Sequence, residues 1–255
     1  MTTLLSCKNI TYSYLNKFAA LDDVSINVLR GEKLALLGAN GSGKSTLLKL
    51  FDGLIFPQSG TYEAFGKVVT EENLEEPSFS HEFRSRIGFV FQNSDAQVFS
   101  PTVREEVAFG PLQLAIPNAE VNQRVDETLQ LLGISSLADR PPFQLSGGQK
   151  KRVAIASILI MNPEILLFDE PTAGLDPRTQ EWLFQLVEEL ASRGKTIVTA
   201  THELSYLNRI ADRCVVFGES HKIVSECTPQ ELLSNRELLI NVNLIHPKTN
   251  LHFHS

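Results

Sequence analysis

One short stretch constrains the fold of this chain more than any other. It reads Gly38-Ala39-Asn40-Gly41-Ser42-Gly43-Lys44-Ser45-Thr46 and fits the pattern G-x-x-x-x-G-K-[ST]. A largely apolar run, 33–37, precedes it and a helix-forming stretch follows it, so the sequence predicts a strand, a tight turn and a helix in that order. The glycines let successive backbone N–H groups point inward, where they and the helix N-terminus can bind phosphate oxygens. We call residues 38–46 the phosphate loop.

Two carboxylates complete a candidate nucleotide site. The apolar run Ile165–Phe168 ends in Asp169 and Glu170. Because an acid at the C-terminal end of a parallel strand lies beside the phosphate loop, Asp169 would hold Mg²⁺ there and Glu170 would polarise a water as general base. In the same site Lys44 would reach the β and γ phosphates, and the Ser45 hydroxyl would bind Mg²⁺.

Strand-like runs alternate with helical patterns along most of the chain. Compact apolar runs at 87–91, 165–168, 196–199 and 214–217 predict strands buried on both faces. Apolar residues at helical spacing predict one helix that ends at Gly133 and another between Pro177 and Gly194. The alternation indicates an α/β fold with a largely parallel sheet.

Three further stretches depart from this alternation. Residues from about 93 to 140 contain no strand pattern, which predicts a helical subdomain set into the α/β core. The Glu-rich stretch Glu71–Glu76 predicts a solvated loop. After Glu226 the pattern predicts a short helix and a polar tail.

Charge, hydropathy and cysteine content limit the kinds of partner that the chain can bind and the compartment in which it can reside. The 255 residues carry 23 Lys and Arg against 30 Asp and Glu, a net charge of −7, which argues against a nucleic-acid partner. The richest apolar run, Val153–Met161, falls short of the ~18 residues needed to cross a bilayer. The N-terminus lacks the features of a signal peptide, and the three cysteines have no metal-ligand spacing. We therefore expect reduced thiols and residence in the cytosol.

A second anion-binding pattern lies between the phosphate loop and the two acids. It reads Leu145-Ser146-Gly147-Gly148-Gln149, and it is followed by the basic residues 150–152 and an apolar helix. A Ser-Gly-Gly at a helix N-terminus offers N–H groups to an anion. A protein that binds phosphate in a single closed site with one phosphate loop does not need a second anion-binding helix of this kind. This segment, which we call the signature segment, resembles the signature sequence of the ATP-binding cassette (ABC) ATPases. The chain resembles this family from about residue 4 to residue 235.

The resemblance implies a fold and a division of the chain. The expected fold is a P-loop NTPase core of ABC ATPase type, with an N-terminal antiparallel β subdomain and an inserted α-helical subdomain at about 93–160. Residues 1–235 would form the ABC ATPase domain, and 236–255 a short C-terminal tail. The implied cofactors are ATP, held by the phosphate loop, and Mg²⁺.

The resemblance also implies roles for single residues that match the family's motifs in order. Tyr14 would stack on adenine, with Tyr12 as the alternative. Gln92, just after the strand at 87–91, would contact Mg²⁺ or the attacking water. Asp176 closes the Gly-Leu-Asp of the D-loop, and His202 would contact the γ-phosphate as the switch histidine.

A second copy of such a domain is implied as well. In this family two domains dimerise head to tail, so that Ser146, Gly147 and Gln149 of one close over the γ-phosphate held by Lys44 of the other. With one copy of each motif, this chain would need a second ABC ATPase subunit, identical or a paralogue. ATP would join the two domains, and hydrolysis would release them.

The residues around Gln92 resemble one branch of the family. The segments 91–99, FQNSDAQVF, and 102–111, TVREEVAFGP, are similar to those of ATPases of energy-coupling factor transporters, which import vitamins, cobalt or nickel. Ser94 stands where proline is usual. The implied partners are an integral-membrane coupling subunit and a substrate-binding membrane component, which would place the chain at the cytoplasmic face of the cell membrane.

The end of the chain bears on the transported solute. His246, His252 and His254 resemble the His-bearing ends of the cobalt and nickel branch, although a polar terminus without metal is the alternative. The sequence thus favours import of cobalt or nickel ions and leaves vitamins open. A non-transport ABC clamp acting on DNA or ribosomes is a further alternative, which the single cassette, the negative charge and the absence of a coiled-coil pattern argue against.

Overall fold

The computed structural model describes residues 2–114 and 116–248 as two sheets surrounded by helices. The strands are β1 (Thr3–Tyr14), β2 (Phe18–Leu29), β3 (Lys33–Leu37), β4 (Ser59–Ala64), β5 (Lys67–Val68), β6 (Ile87–Val90), β7 (Ile165–Asp169), β8 (Thr196–Thr201), β9 (Arg213–Phe217) and β10 (Ile223–Cys227). The helices are α1 (Lys44–Phe51), α2 (Glu71–Glu75), α3 (Pro77–Arg86), α4 (Val103–Gln113), α5 (Asn118–Leu131), α6 (Gly147–Leu159), α7 (Pro177–Ser192), α8 (Leu207–Ile210), α9 (Pro229–Ser234) and α10 (Arg236–Asn241).

A six-stranded sheet forms the centre of the fold. Its order is β10-β9-β3-β8-β7-β6, and all neighbouring strands are parallel except the edge pair β9 and β10. Every residue of β6, β7 and β8 is buried, as expected for parallel strands covered by helices on both faces. The strands predicted at 87–91, 165–168, 196–199 and 214–217 are confirmed, with ends that differ by one or two residues.

The N-terminal antiparallel subdomain is confirmed. It is a four-stranded sheet in the order β2-β1-β4-β5, with antiparallel pairing throughout. Along β2 the alternating residues Val24, Ile26 and Val28 are buried. They join one hydrophobic cluster that also contains residues of β3 and β7, so this sheet packs on the core.

The helical subdomain is also present. Within the described part of the chain no strand lies between β6 and β7, and α4, α5 and α6 fill this interval. The predicted stripe of Val121, Val125, Leu129 and Leu132 is buried at 0–2% exposure. The helix α5 ends before Gly133, whose φ of +67° is the left-handed conformation typical of a residue that follows a helix.

The prediction of a solvated loop at Glu71–Glu76 is wrong. Residues 71–75 form α2, which begins where the side chain of Thr70 accepts the N–H of Asn73. The acidic residues of its first turn lie at the positive end of the helix, where they stabilise it, and Leu74 is buried. The high charge of the stretch correctly predicts that most of its residues are exposed. It does not reveal the helix cap at Thr70.

The C-terminal region is more structured than its polarity indicates. Two helices, α9 and α10, follow β10, where a single short helix was predicted. Leu239, Val242 and Ile245 are buried in a cluster with residues of β9 and α8. Residues 236–245, the first half of the predicted tail, therefore pack against the domain.

Two smaller expectations concern membranes and thiols. No helix in the described ranges is long and apolar enough to cross a bilayer. Cys7 and Cys214 are buried, Cys227 is partly buried, and all three are free thiols, as expected. Burial raises the pKa of the Cys214 thiol to about 12, so this group is a poor nucleophile at neutral pH.

Candidate functional site

The phosphate loop connects β3 to α1 as the motif requires. Helix α1 begins at Lys44, and Gly43 before it has a φ of +115°. A side chain at Gly43 would place its Cβ 2.3 Å from the carbonyl oxygen of Ala20, and one at Gly38 would lie 2.6 Å from Ser42 Oγ. Both positions therefore require glycine, because any larger residue would push the backbone out of the curl that binds phosphate.

Two buried side chains of the phosphate loop, Lys44 and Ser42, are candidates for binding an anion. Lys44 is 4% exposed, and its Nζ donates to the carbonyl oxygens of Gly38 at 2.8 Å and Ala39 at 3.0 Å. Burial lowers the pKa of Lys44, while the carboxylates of Glu170 and Asp169 raise it. Ser42 Oγ is buried without any hydrogen-bond partner among the described residues. A buried polar group without a partner is costly, so the folded protein would gain a hydrogen bond if a ligand oxygen reached this hydroxyl.

Asp169 lies at the end of β7, beside the loop. Its Oδ1 accepts a hydrogen bond of 2.7 Å from Ser45 Oγ, so the structure brings together two residues predicted to hold Mg²⁺. Burial raises the pKa of Asp169, and the Ser45 hydroxyl opposes that rise. Hydroxyl and carboxylate oxygens are the ligands that Mg²⁺ prefers, and the ion is commonly held by few protein groups together with phosphates. The donor set therefore fits the ion.

Glu170 has an unusual backbone conformation. Its φ is +41°, its side chain is only 7% exposed, and its N–H donates to Ala200 O of the neighbouring strand at 2.9 Å. A non-glycine residue with this conformation costs energy and is typical of functional sites. His202, directly after β8, has its Nδ1 2.9 Å from Glu170 Oε1, and Lys44 Nζ lies 3.8 Å from the same oxygen. The predicted base and switch histidine are thus in contact.

Gln92 and Tyr14 line the same pocket as the phosphate loop, Lys44 and Glu170. The hydroxyl of Tyr14 lies 3.3 Å from Thr46 Oγ1. Tyr12, the alternative aromatic, meets the Tyr14 ring edge-on with a centroid distance of 5.1 Å and packs against the core cluster. Of the two tyrosines, Tyr14 is the one that the structure places at the mouth of the pocket.

The signature segment lies apart from this pocket. Ser146 caps α6 by accepting the N–H of Gln149, whose side chain accepts the N–H of Ser146 in return. Leu145 is buried, and Gly147 lines a separate groove with residues of the Gln92 loop and of the D-loop. No signature residue lines the pocket that contains Lys44.

The first turn of α7, directly after the D-loop, approaches the signature segment. Asp176 caps α7 through its Oδ1, which accepts the N–H groups of Arg178 and Thr179. The Thr179 hydroxyl also donates to Asp176 Oδ2 at 2.7 Å. This bond contributes most to lowering the pKa of Asp176, and the backbone N–H groups lower it further. A Cβ at Gly148 would lie 2.8 Å from Thr179 Oγ1, which shows how closely the two segments approach each other.

The sequence analysis did not single out three residues that hold this region in place: Lys151, Gln97 and Glu106. Lys151 is 2% exposed, and its Nζ donates to the carbonyls of Phe91 and Gln92 at 3.1 and 3.0 Å. Burial lowers the pKa of Lys151 to about 8, although the charge of Asp169 opposes the shift. The sequence signal that could have identified Lys151 is helical spacing. Lys151 precedes the buried Ala154 and Ile155 by three and four residues, which places it on the same face of the helix.

Of the three C-terminal histidines, only His246 lies within the described residues. Its Nδ1 accepts the N–H of Lys248 at 3.2 Å. His252 and His254 lie outside the described residues. Over residues 2–114 and 116–248 no group of three or more metal-ligating side chains is assembled.

Three features define the class of P-loop nucleotide-binding ATPases with a signature helix. They are the phosphate loop after β3, the acid pair at the end of β7, which β8 separates from β3 in the parallel sheet, and the separate Ser-Gly-Gly helix. The model of the ABC transporter family matches residues 21–173, more than half of the chain. The chain belongs to the ABC transporter family, as an ATP-binding ATPase of the kind that powers transport.

Known proteins are similar to nearly the whole chain. A nickel import ATP-binding protein from Rhodobacter capsulatus is 44% identical over 96% of this chain and 97% of its own length. An energy-coupling factor transporter ATP-binding protein from Methanothermobacter thermautotrophicus is 41% identical over 96% of this chain and 78% of its own length. The solved structure of cbiO1 from Clostridium perfringens, part of the ABC transporter complex cbiONQ, matches with a TM-score of 0.80 and 37% identity over 97% of each chain.

Proposed function

We propose that this chain is the ATP-hydrolysing subunit of an energy-coupling factor importer for cobalt or nickel ions, and that it works as one of two paired cassettes. The observation that carries the proposal is the segment from Phe91 to Pro111, which combines the motif of that branch with an exposed aromatic surface. The names of the nickel-import and energy-coupling factor relatives support the same branch.

The phosphate end of the pocket would hold MgATP. Lys44, Ser42 and the loop N–H groups would bind the phosphates, and Tyr14 would stack on adenine. Ser45, Asp169 and Gln92 are the residues that would hold Mg²⁺. When bound, the ion supplies positive charge that neutralises the phosphate oxygens.

Glu170 would act on the water that attacks the γ-phosphorus. Its carboxylate accepts a proton as the water oxygen bonds to phosphorus and the bond to the leaving ADP breaks, which gives ADP and inorganic phosphate. His202 Nδ1 and Lys44 Nζ both lie near Glu170 Oε1, at 2.9 and 3.8 Å, and would hold the carboxylate in place before the substrate arrives. The strained backbone at Glu170 fixes the same orientation.

A second cassette would supply the remaining charge stabilisation. The phosphate-loop pocket lacks the signature segment, and the signature segment of the same chain lies on a different groove. Pairing two cassettes head to tail would bring Ser146 and Gly147 of one to the γ-phosphate of the other. ATP would then join the two subunits, and loss of the γ-phosphate would let them separate.

The membrane partner would contact the surface around Phe99. Phe99 and Phe109 are 68% and 44% exposed and meet edge-on at a centroid distance of 5.1 Å. The buried carboxylate of Glu106 accepts the N–H groups of Phe99 and Ser100 at 2.9 and 2.7 Å, which holds Phe99 outward. Exposed, rigidly held aromatic side chains are typical of protein interfaces. This contact would place the chain at the cytoplasmic face of the membrane.

Uptake in cells tests the proposal. In a strain deleted for this gene, uptake of radioactive nickel or cobalt should be lost, should return with the wild-type gene, and should stay absent with Glu170→Gln. Lys195→Met serves as the control, because Lys195 binds backbone carbonyls far from the phosphate loop and its loss should leave uptake intact.

The same strain separates the alternatives. Loss of vitamin uptake with unchanged metal uptake would show that the importer transports a vitamin and not a metal ion. If neither uptake changes and the protein purifies with ribosomes or DNA, the importer proposal is wrong and a non-transport ABC clamp takes its place.

A further inference from the structure

Side chains of α6 hold the backbone that carries Gln92. Lys151 projects from the second turn of this helix, is 2% exposed, and donates to two successive carbonyls, Phe91 O at 3.1 Å and Gln92 O at 3.0 Å. A buried ammonium group requires such partners, because it loses its hydration when it is covered. The two carbonyls are therefore fixed to the helix that begins with the signature segment.

A second set of contacts reinforces this attachment. The side chain of Gln97 accepts the N–H of Phe91 at 3.1 Å and donates to Ala154 O, one turn further along α6, at 3.4 Å. Lys150 pairs with Asp95 at 2.5 Å on the exposed side. The loop 91–97 is thus bound to α6 at three points, and Lys151 is the only one of these links in which a charged group is almost fully buried.

We infer that Lys151 is a positioning residue for ATP hydrolysis: it fixes the turn that aims the Gln92 side chain at the phosphate pocket and moves Gln92 whenever α6 moves. The inference rests on the role proposed for Gln92. Gln92 lines both the phosphate-loop pocket and the groove that contains Gly147, Lys150 and Lys151. Lys151 therefore links the helix that begins at the signature segment to a residue of the phosphate pocket of the same chain.

The geometry separates this role from ordinary stabilisation. Lys195, which is partly buried, makes bonds of the same kind. It donates to Asn162 O at 3.1 Å, Pro163 O at 2.6 Å and Asn162 Oδ1 at 2.6 Å, but these acceptors belong to the turn after α6. Both lysines stabilise a loop by the same kind of contact. Only the Lys151 loop carries a residue of the phosphate pocket.

The test uses the full chain and measures ATP hydrolysis and thermal unfolding. Lys151→Met keeps the length of the side chain and removes the donor, so kcat should fall about tenfold or more while KM for ATP changes little, because misplacing one group near the reacting atoms has effects of this size. The Mg²⁺ concentration for half-maximal activity should rise. Lys151→Gln, which keeps one donor, should lie between Lys151→Met and the wild type.

A double-mutant cycle with Gln92→Ala decides whether Lys151 positions Gln92 for hydrolysis or only stabilises the fold. If Lys151 acts through Gln92, then Lys151→Met should lower kcat no further in the Gln92→Ala background. Additive losses of kcat, or a loss no greater than that of the control Lys195→Met, would overturn the inference. So would full activity of Gln92→Ala, which would remove the role of Gln92 itself. These measurements need no transport, so the importer proposal can fail without affecting them.

Discussion

At the scale of single residues, the phosphate loop contains a buried hydroxyl that makes no hydrogen bond to the described residues. Ser42 is 3% exposed, and its Oγ has no partner among the described residues, whereas Lys44, two residues on, satisfies itself with loop carbonyls. An unsatisfied buried hydroxyl lowers stability unless a ligand completes it. Stability and nucleotide affinity should therefore respond differently when this hydroxyl is removed.

Ser42→Ala should bind ATP about tenfold more weakly while its melting temperature is unchanged or slightly raised. The folded protein loses no hydrogen bond, and a bond from a hydroxyl to a charged phosphate contributes on the order of 1.5 kcal/mol. Titration with a fluorescent ATP analogue and a thermal scan without nucleotide measure the two effects. A lowered melting temperature with unchanged affinity would show that Ser42 Oγ serves the fold and not the ligand.

Glu170→Gln should lower ATP turnover by at least about a hundredfold and leave ATP binding intact, because it removes the proton acceptor and keeps the shape of the side chain. A phosphate-release assay and a binding titration give the two values. His202→Ala, which removes the contact with Glu170 Oε1, should abolish hydrolysis with modest loss of binding. Normal turnover in either variant would exclude that residue from its assigned role.

At the scale of elements, α1 begins at Lys44 of the phosphate loop and is followed directly by a partly buried acid. Asp52 follows Phe51 at the C-terminal end of the helix, where the helix dipole disfavours negative charge. Burial raises the pKa of Asp52 to about 7, and the charge of Arg84 opposes the shift only partly. In the folded protein this carboxyl group therefore holds its proton at pH values where the unfolded chain has lost it.

The sign of the pH dependence follows from the linkage between protonation and folding. Below the ordinary pKa of an aspartate both states are protonated, so the group has no effect on stability; as pH rises toward about 7 the folded state is increasingly penalised. Asp52→Asn, a neutral mimic, should therefore raise the melting temperature at pH 8, and its advantage should shrink toward pH 5. An Asn variant that is less stable than the wild type at pH 8 would show that Asp52 is charged and held by Arg84.

The elements also show what the sequence could and could not predict. Buried parallel strands such as β7 and β8 are continuous apolar runs, so their positions were read almost to the residue. The helix α2 was missed because its start depends on one bond between Thr70 and Asn73, which composition does not reveal. Lys151 was overlooked because three basic residues in a row resemble a solvated surface, and only the packing of α6 shows which one is buried.

At the scale of the whole molecule, the fold places the N-termini of α1 and α6, the two helices predicted to bind anions, on separate surfaces. Helix α1 begins at the phosphate loop, and α6 begins at the signature segment, whose Gly147 lines a different groove. Motif order along the chain predicts both sites, whereas their separation, which depends on how the helical subdomain packs, was implied by the family resemblance. In the proposed pairing each chain would contribute half of each of two composite sites, and the separation of the two helix N-termini is the physical basis of that proposal.

Two neighbouring glycines of the signature segment offer a matched test of that pairing. A Cβ at Gly147 meets no atom within 4 Å, whereas a Cβ at Gly148 would lie 2.8 Å from Thr179 Oγ1. Gly147→Ala should therefore keep the melting temperature, or raise it slightly through better helix propensity, while Gly148→Ala should lower it. If a partner's nucleotide approaches this backbone closely, Gly147→Ala should nevertheless lose the dimer that ATP induces in the Glu170→Gln background.

Size-exclusion chromatography with and without ATP, on Glu170→Gln alone and combined with Gly147→Ala, measures this effect directly. The single variant should elute as a dimer with ATP and as a monomer without it, and the combination should remain monomeric under both conditions. Titration of each protein with ATP controls for binding at the phosphate loop, which should be unchanged because Gly147 does not line that pocket. A stable ATP-dependent dimer of the combined variant would show that the signature glycine does not face the partner's nucleotide, and the head-to-tail pairing would have to be abandoned.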